Sequence, residues 1–314
     1  MKFRTEIQIN PAKHKITYEA GLFFLGSCFS ENIFKKVDYY KFKAHSNPFG
    51  ILYNPAAIES VISKSLQGYT YSEKDFFELN ERWHCYDSHS DLSNANISTA
   101  IENLNKAVTT TAKNLTSATH LFITLGTAWV YRNVDTKHIV GNCHKVPQQQ
   151  FDKELLPVSE IEKLLQRIIE QVKTVNSTIQ IVFTVSPIRH LKDGFVENAR
   201  SKSHLITAIH NITDTNEPIS YFPSYEIVQD DLRDYRFYAE DLVHPNQMAI
   251  DYLWEKFQNT WIDSTCEPLM KKVAFIQKGR SHRPFNPKAA AHQAFLKKIE
   301  KAKEELKGKF NIEF

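Results

Sequence analysis

Nine glycines and twelve prolines in 314 residues exclude a collagen-like, elastic or broadly disordered chain. The four cysteines, Cys28, Cys85, Cys143 and Cys266, form no Cys-x-x-Cys pair, which argues against a zinc cluster or a dithiol redox motif. No apolar run approaches the roughly 20 residues that a membrane-spanning helix needs. The first residues, Met1-Lys2-Phe3-Arg4-Thr5-Glu6, are mixed and polar, unlike a secretion signal. Net charge is only +3, too small to point to a nucleic-acid partner. The chain also lacks His-Glu-x-x-His, Gly-x-x-x-x-Gly-Lys-Ser/Thr and Gly-x-Gly-x-x-Gly, so neither a metal nor any other cofactor is expected. These absences fit a cytoplasmic protein with reduced thiols.

What is present suits a large core: 42% of residues are hydrophobic and 12% aromatic. Residues 21–26 and His120–Gly126 are apolar runs that end in Gly, and both read as buried strands. Ile179–Ser186, rich in Ile, Val, Phe and Thr, is the most strand-like segment, and Ile219–Phe222 is a short further strand. Helical periodicity covers 28–37, 55–67, 95–117, about 195–212, and the segment after Pro245 that carries Ala249, Leu253, Trp254 and Phe257. Ser159-Glu160-Ile161-Glu162 reads as a capping box opening another helix. Strands that alternate with helices predict an α/β fold, a three-layer α/β/α sandwich around a mostly parallel sheet.

Charge divides the chain unevenly. From Lys271 onward there are twelve Lys/Arg against four Asp/Glu, a net of +8 that leaves −5 on the rest. With the Arg280–Pro287 stretch and a Lys/Glu-rich helix from Ala289 to about Leu306, this predicts a domain over 1–262 and a basic helical arm over 263–314. A basic face of this kind is ordinarily solvated, though it could also dock a partner or mediate a homodimer.

In parallel α/β sheets the site lies at the carboxyl ends of the strands. Gly26-Ser27-Cys28, Gly126-Thr127 and Ser186-Pro187 fall there, and Glu240-Asp241-Leu242-Val243-His244-Pro245 lies in the loop after the last strand. Asp-x-x-His lets the carboxylate accept from Nδ1 and frees Nε2 to take a nucleophile's proton. Gly-Ser-Cys at a strand-to-helix turn has two readings. Ser27 caps the helix and Cys28 is a small buried hydrophobe, or the helix N-terminus stabilises a thiolate or alkoxide there. Trp83, His84 and His89, between helices, could line the site. Arg189-His190 and His144-Lys145 could bind a carboxylate or phosphate, or simply pair with acids.

These motifs resemble the GSCFA family, grouped with the SGNH (GDSL-like) hydrolases. Gly26-Ser27-Cys28-Phe29-Ser30 carries the resemblance, with Ser46-Asn47-Pro48-Phe49-Gly50, Tyr53-Asn54-Pro55, Gly126-Thr127-Ala128-Trp129 and Asn142-Cys143-His144-Lys145. Thr184 to His190 and Tyr235 to Pro245 continue it, over about residues 3 to 260. The resemblance implies a flavodoxin-like sandwich that hydrolyses esters of a small molecule or a glycan, with Asp241 and His244 in a triad and Gly50 as an oxyanion donor. Two departures stand out. SGNH hydrolases carry a Gly-x-Asn-Asp block whose Asn is an oxyanion donor; the matching segment here, Gly126-Thr127-Ala128-Trp129, lacks that Asn, which Asn47 or Asn142 could replace. Their N-terminal Gly-Asp-Ser block carries the nucleophile, and its register places Cys28 where the nucleophilic Ser is expected and Ser27 where the Asp is. Ser27 would suit ester hydrolysis; Cys28 would suit a thioester acyl-enzyme and acyl transfer. A non-catalytic module that binds a glycan or acylated ligand on the same fold is the alternative.

Overall fold

The structure, a computed structural model, describes residues 4–214 and 219–314. In chain order the elements are β1 (Gly21–Gly26), α1 (Cys28–Tyr39), β2 (Lys43–Ser46), α2 (Pro55–Leu66), β3 (Phe77–Leu79), β4 (Arg82–His84) and α3 (Ile97–Ser117). Then come β5 (His120–Leu125), β6 (Trp129–Asn133), β7 (Ile139–Val140), β8 (Phe151–Leu155), α4 (Val158–Val175), β9 (Gln180–Val185), α5 (Gly194–Thr213) and β10 (Ile219–Tyr221). A helical turn α6 (Ser224–Glu226), α7 (Gln247–Trp261), α8 (Glu267–Ser281) and α9 (Ala290–Phe310) complete the chain.

Five strands form a wholly parallel sheet in the order β10-β9-β5-β1-β2. Counted along the chain this is the doubly wound order 2-1-3-4-5, whose direction reverses between β1 and β5. Side chains alternate across the sheet. Phe23, Leu25, Leu121, Ile123, Ile181 and Phe183 join the core under α2 to α5. Leu22, Phe24, Phe122 and Val182 join the core under α1 and α7. Burial on both faces explains why these strands read as continuous apolar runs rather than alternating ones. Each buried Phe or Leu contributes about 1.5–3 kcal/mol. Phe24 stacks on Phe122 at 4.9 Å, and Phe122 meets Phe257 and Trp261 of α7, so α7 closes the layer over the sheet centre.

Three differences from the sequence reading have simple causes. The edge strand β2, Lys43-Ala44-His45-Ser46, is half exposed and has no apolar run to announce it. The β3–β4 hairpin and the antiparallel sheet β7-β6-β8 are built from strands of two to five residues, too short for a periodic signal. The helix expected to open with a capping box at Ser159 starts earlier, at Val158. Pro157, at φ −67° and ψ 155°, is its N-cap and receives Glu160 N–H at 3.0 Å, which leaves Ser159 inside the first turn.

The arm folds back on its own chain. Leu269, Val273 and Ile276 of α8 bury against Ile299 and Leu306 of α9 and Ile312 beyond it. Gly279 lets the helices cross, since a Cβ there would collide with Ile299. Gln277 Nε2 donates to Tyr39 O at 3.1 Å, tying the arm to α1. Among the described residues no helix is long and apolar enough to cross a membrane.

At Gly26 the backbone turns from β1 into the loop before α1 with φ +122°, and a Cβ there would run into the Thr124 carbonyl of β5. Both the conformation and the close approach demand glycine. Gly26→Ala is expected to lose about 3 kcal/mol, the upper end of ordinary point substitutions, read as a lower urea midpoint at unchanged slope.

Candidate functional site at the carboxyl end of the sheet

Cys28 is the first residue of α1, directly beyond β1 at the switch point. In the first turn of α1 Ser30 N–H donates to Ser27 O at 2.9 Å, while the N–H groups of Cys28 and Phe29 are directed at the Cys28 sulfur. Burial raises the thiol's pKa, and Glu31 adds to this. The Cys28 N–H, the Lys202 charge and the Phe29 N–H pull the other way. The balance leaves a protonated thiol, half-buried, at the mouth of the crevice. Ser27 lies differently. It is 1% exposed, its side chain caps nothing, and Oγ has no hydrogen-bond partner among the described residues.

The Gly26–Cys28 turn is held from three sides. Asn47 Oδ1 accepts Gly26 N–H at 2.9 Å, while Asn47 Nδ2 donates to Ser30 Oγ at 3.2 Å and lies 3.5 Å from Glu31 Oε1. Ser27 N–H reaches Thr124 O at 3.0 Å, and Leu52 N–H reaches Gly26 O at 3.1 Å. Asn47 is therefore fully engaged as a strut, and it sits at φ +41°, a conformation Asn tolerates better than most residues. Asn47→Ala is expected to lose about 2 kcal/mol and to slow any chemistry at Cys28, measured by paired denaturation and alkylation assays.

Several candidate oxyanion donors are already committed. Gly50 N–H donates to Asn47 O at 2.8 Å. Its φ of +74° and the packing of His89 against it explain the glycine. Gly126 N–H and Thr127 N–H both donate to Tyr53 O, at 2.7 and 3.0 Å. Thr127 Oγ1 pairs with Ser201 Oγ at 3.0 Å and caps Trp129 N–H. The backbone donors left at the turn are those of Cys28 and Phe29.

The residue that sequence reading overlooked is Lys202. It is 1% exposed, on the inner face of α5, and Nζ donates to Gly126 O at 2.6 Å and Ser186 O at 2.7 Å. It thus ties the carboxyl ends of β5 and β9 together and brings a cation within Coulombic reach of Cys28. Burial pulls its pKa down to about 7, with Cys28 acting in the opposite direction. Its place on the stripe Asn198, Ser201, Lys202, Leu205, Ala208, Ile209 was the available signal: a lysine at core spacing on an otherwise buried face.

His190 lies beside this lysine. Its ring meets Tyr53 edge-on at 5.2 Å, and its N–H is held by Asn198 Oδ1 at 2.9 Å. Burial, with Lys202 next, drops its pKa to about 4, so it is neutral at physiological pH. Arg189 points elsewhere, onto Gln229.

Asp241 and His244 occupy a tight turn before α7. Asp241 Oδ1 accepts Val243 N–H and His244 N–H, each at 2.9 Å, and Oδ2 lies 2.6 Å from His244 Nδ1. Leu242 adopts φ +58° to make the turn. The His244 and Val243 N–H groups, with the His244 side chain, hold the Asp241 carboxyl down at about 2. Both side chains are half exposed, and His244 Nε2 has no hydrogen-bond partner among the described residues. His244 is close enough to His190 for their charges to interact. Val243, Tyr238 and Cys28 pack against the same core cluster, so the turn and α1 share one side of the molecule. No hydrogen bond joins His244 to Cys28 or Ser27 among the described residues.

The remaining sequence candidates separate into two groups. Asn142 lines a cavity of about 480 Å³ whose wall includes Tyr53, Thr127 and His190. His84 and His144 are buried pins. His84 joins Ser93 Oγ at 2.7 Å and Leu79 O at 3.1 Å, while His144 joins Ser90 Oγ at 3.0 Å and Cys85 O at 2.7 Å. Trp83 bridges to Asn94 through its backbone, and His89 packs on Gly50 and pairs with Asp91. Among the described residues no group of three or more His, Cys, Asp or Glu is placed to hold a metal ion. All four cysteines are free.

A doubly wound α/β protein with a thiol, a buried lysine and an Asp–His pair gathered along one sheet end is thus defined. The model of the GSCFA family matches residues 21–257, and that described as GSCFA domain protein, C-terminal domain, matches residues 273–314. The chain belongs to the GSCFA family. No curated protein matches it.

Proposed function

We propose that this protein cleaves ester bonds through an acyl-enzyme, in the manner of SGNH hydrolases, with Cys28 as nucleophile, His244 as general base and Asp241 as the group that orients it. The observation that carries the reading is the Asp241–His244 pair, with Nε2 unoccupied among the described residues, in a turn that packs against the same core cluster as a half-buried thiol at a helix N-terminus. Access favours Cys28 over Ser27, whose hydroxyl is enclosed.

The thiol rests protonated, so attack requires a base. His244 Nε2 takes the Sγ proton as sulfur adds to the ester carbonyl, and the N–H groups of Cys28 and Phe29 hold the oxyanion. The C–O bond then breaks, and His244 returns the proton to the departing alkoxide, leaving a thioester. Water, deprotonated by His244, attacks that thioester. The C–S bond breaks, the acid leaves, and Sγ recovers its proton. An alcohol in place of water gives acyl transfer by the same steps. Both side chains of the Asp–His turn are exposed and lie beyond hydrogen-bond contact with Cys28, so substrate binding must bring His244 and Cys28 to bear on one carbonyl.

That same separation favours the second reading, a module that binds a glycan or acylated ligand without turning it over. Turnover of a panel of acetyl and longer-chain esters by the wild type, Ser27→Ala and Cys28→Ala separates the two. The proposal expects Ser27→Ala to keep most activity, because its Oγ makes no bond, and Cys28→Ala to lose it. Wild-type protein inert on every ester, or Cys28→Ala as active as wild type, contradicts the proposal.

A further inference from the structure

The cavity bounded by Tyr53, Thr127 and His190 has walls of unusual composition. Trp129 and Tyr131 alternate onto one face of β6 and form an aromatic side. Lys153 stands 4.5 Å over the Trp129 ring but is not part of the cavity wall, so the cation backs the indole rather than filling the space. Lys153 is neutralised by Asp193. Lys145 and Lys192, also on the wall, have no carboxylate partner among the described residues. The cavity therefore combines a stacking surface, side-chain amides from Asn54 and Asn142, two lysines without a carboxylate partner among the described residues, and the Asp193 carboxylate, which is already paired with Lys153. Asn54 uses Oδ1 to cap α2, at 2.8 Å from Ala57 N, which leaves its Nδ2 for another partner.

Lys145 is placed at a conformational cost. His144 and Lys145 both have left-handed backbones, φ +49° and +64°. Each such residue costs about 1 kcal/mol or more, and two in succession persist only when the surroundings enforce them. Here the His144 ring is locked between Ser90 and Cys85 O, its N–H is held by Asn142 Oδ1 at 2.8 Å, and Gly141 N–H reaches Tyr86 O at 2.7 Å. The strained loop is built to hold residues 142–145 against the cavity.

We infer that this cavity binds a sugar residue bearing an anionic group, its ring stacked on Trp129 or Tyr131 and its carboxylate or phosphate held by Lys145 and Lys192. An aromatic face suits the C–H surface of a pyranose, amides suit its hydroxyls, and paired lysines suit a charge that a neutral sugar lacks. Because Tyr53 lines the cavity and lies within Coulombic reach of Cys28, the sugar would be part of the ester substrate; that last step rests on the proposed hydrolase reading.

Binding is tested apart from turnover by tryptophan fluorescence and calorimetry on full-length Cys28→Ala protein. Glucuronate, glucose 6-phosphate, glucose and inorganic phosphate serve as probes. The inference expects glucuronate or glucose 6-phosphate to bind at least about tenfold tighter than glucose or phosphate alone, and the better of the two identifies the anion. Lys145→Ala, Lys192→Ala and Trp129→Ala should each weaken that binding about tenfold, with rising salt weakening it further. Equal binding of glucose and its anionic forms, binding of phosphate alone, or no binding by any probe overturns the inference. Wild-type turnover of simple esters in the face of such a failure would leave the hydrolase reading standing, and anionic-sugar binding without turnover would do the reverse.

Discussion

Replacing Lys202 by methionine is expected to slow alkylation of Cys28 at pH 7 by about tenfold, the effect of raising the thiol's pKa by about one unit. The buried ammonium is one of the few groups that favour the Cys28 thiolate against burial and Glu31. Its removal also strips Gly126 O and Ser186 O of their partner, at about 1–3 kcal/mol for each buried carbonyl left unpaired. A second signature is the pH dependence of stability. In the folded protein Lys202 has a pKa near 7, well below the ordinary lysine value of about 10.4 that applies once the chain unfolds. Between these values the unfolded chain holds one more proton than the folded chain, so folding is favoured as pH rises through that window. Relative to Lys202→Met, the wild type should gain about 2 kcal/mol from pH 7 to pH 9 in urea denaturation. A difference that stays flat with pH would mean the lysine keeps an ordinary affinity for its proton.

His244→Ala is expected to cut ester turnover by about a thousandfold while leaving the melting temperature close to that of the wild type. The size follows from the usual contribution of a positioned general base. The neutral effect on stability follows from the half-exposed imidazole, whose one side-chain bond is to Asp241. Asp241→Asn should lower turnover too, by presenting an amide to Nδ1 and disfavouring the tautomer that leaves Nε2 free to accept a proton. Since the Asp241 carboxyl is held near pH 2, its own protonation should leave no inflection in the activity profile above about pH 4. Circular dichroism with steady-state rates would check both variants; a turnover loss that tracks a loss of fold would remove the argument for a base.

The central sheet was legible because three of its strands, β1, β5 and β9, are buried on both faces and so read as apolar blocks, and because α2, α3, α4, α5 and α7 carry clean stripes. The edge strand β2 and the sheet β7-β6-β8 were not, since half-exposed strands of two to five residues lack a period to detect. Of the site, Gly26-Ser27-Cys28 and Asp241-Leu242-Val243-His244 could be placed from strand ends and spacing. The state of each donor could not, because it depends on contacts between distant segments. Tyr53 O takes both N–H groups of Gly126 and Thr127, Asn47 O takes that of Gly50, and Asn47 itself is consumed by the turn it supports. Lys202 escaped for a different reason. A lysine is assigned to the surface by default, although its position among Asn198, Leu205 and Ile209 marked it as buried. His84 and His144, which looked like site residues by composition, are hydrogen-bonded pins that shape the loop carrying Lys145.

The most direct measurement is intact-mass spectrometry with peptide mapping after brief exposure of the wild type, Ser27→Ala, Cys28→Ala and His244→Ala to an activated acyl ester. One acyl group is expected on Cys28 in the wild type and in Ser27→Ala, none in Cys28→Ala, and much slower acylation in His244→Ala. An acyl group on Ser27, or no adduct on either residue while ligand still binds, would contradict that expectation.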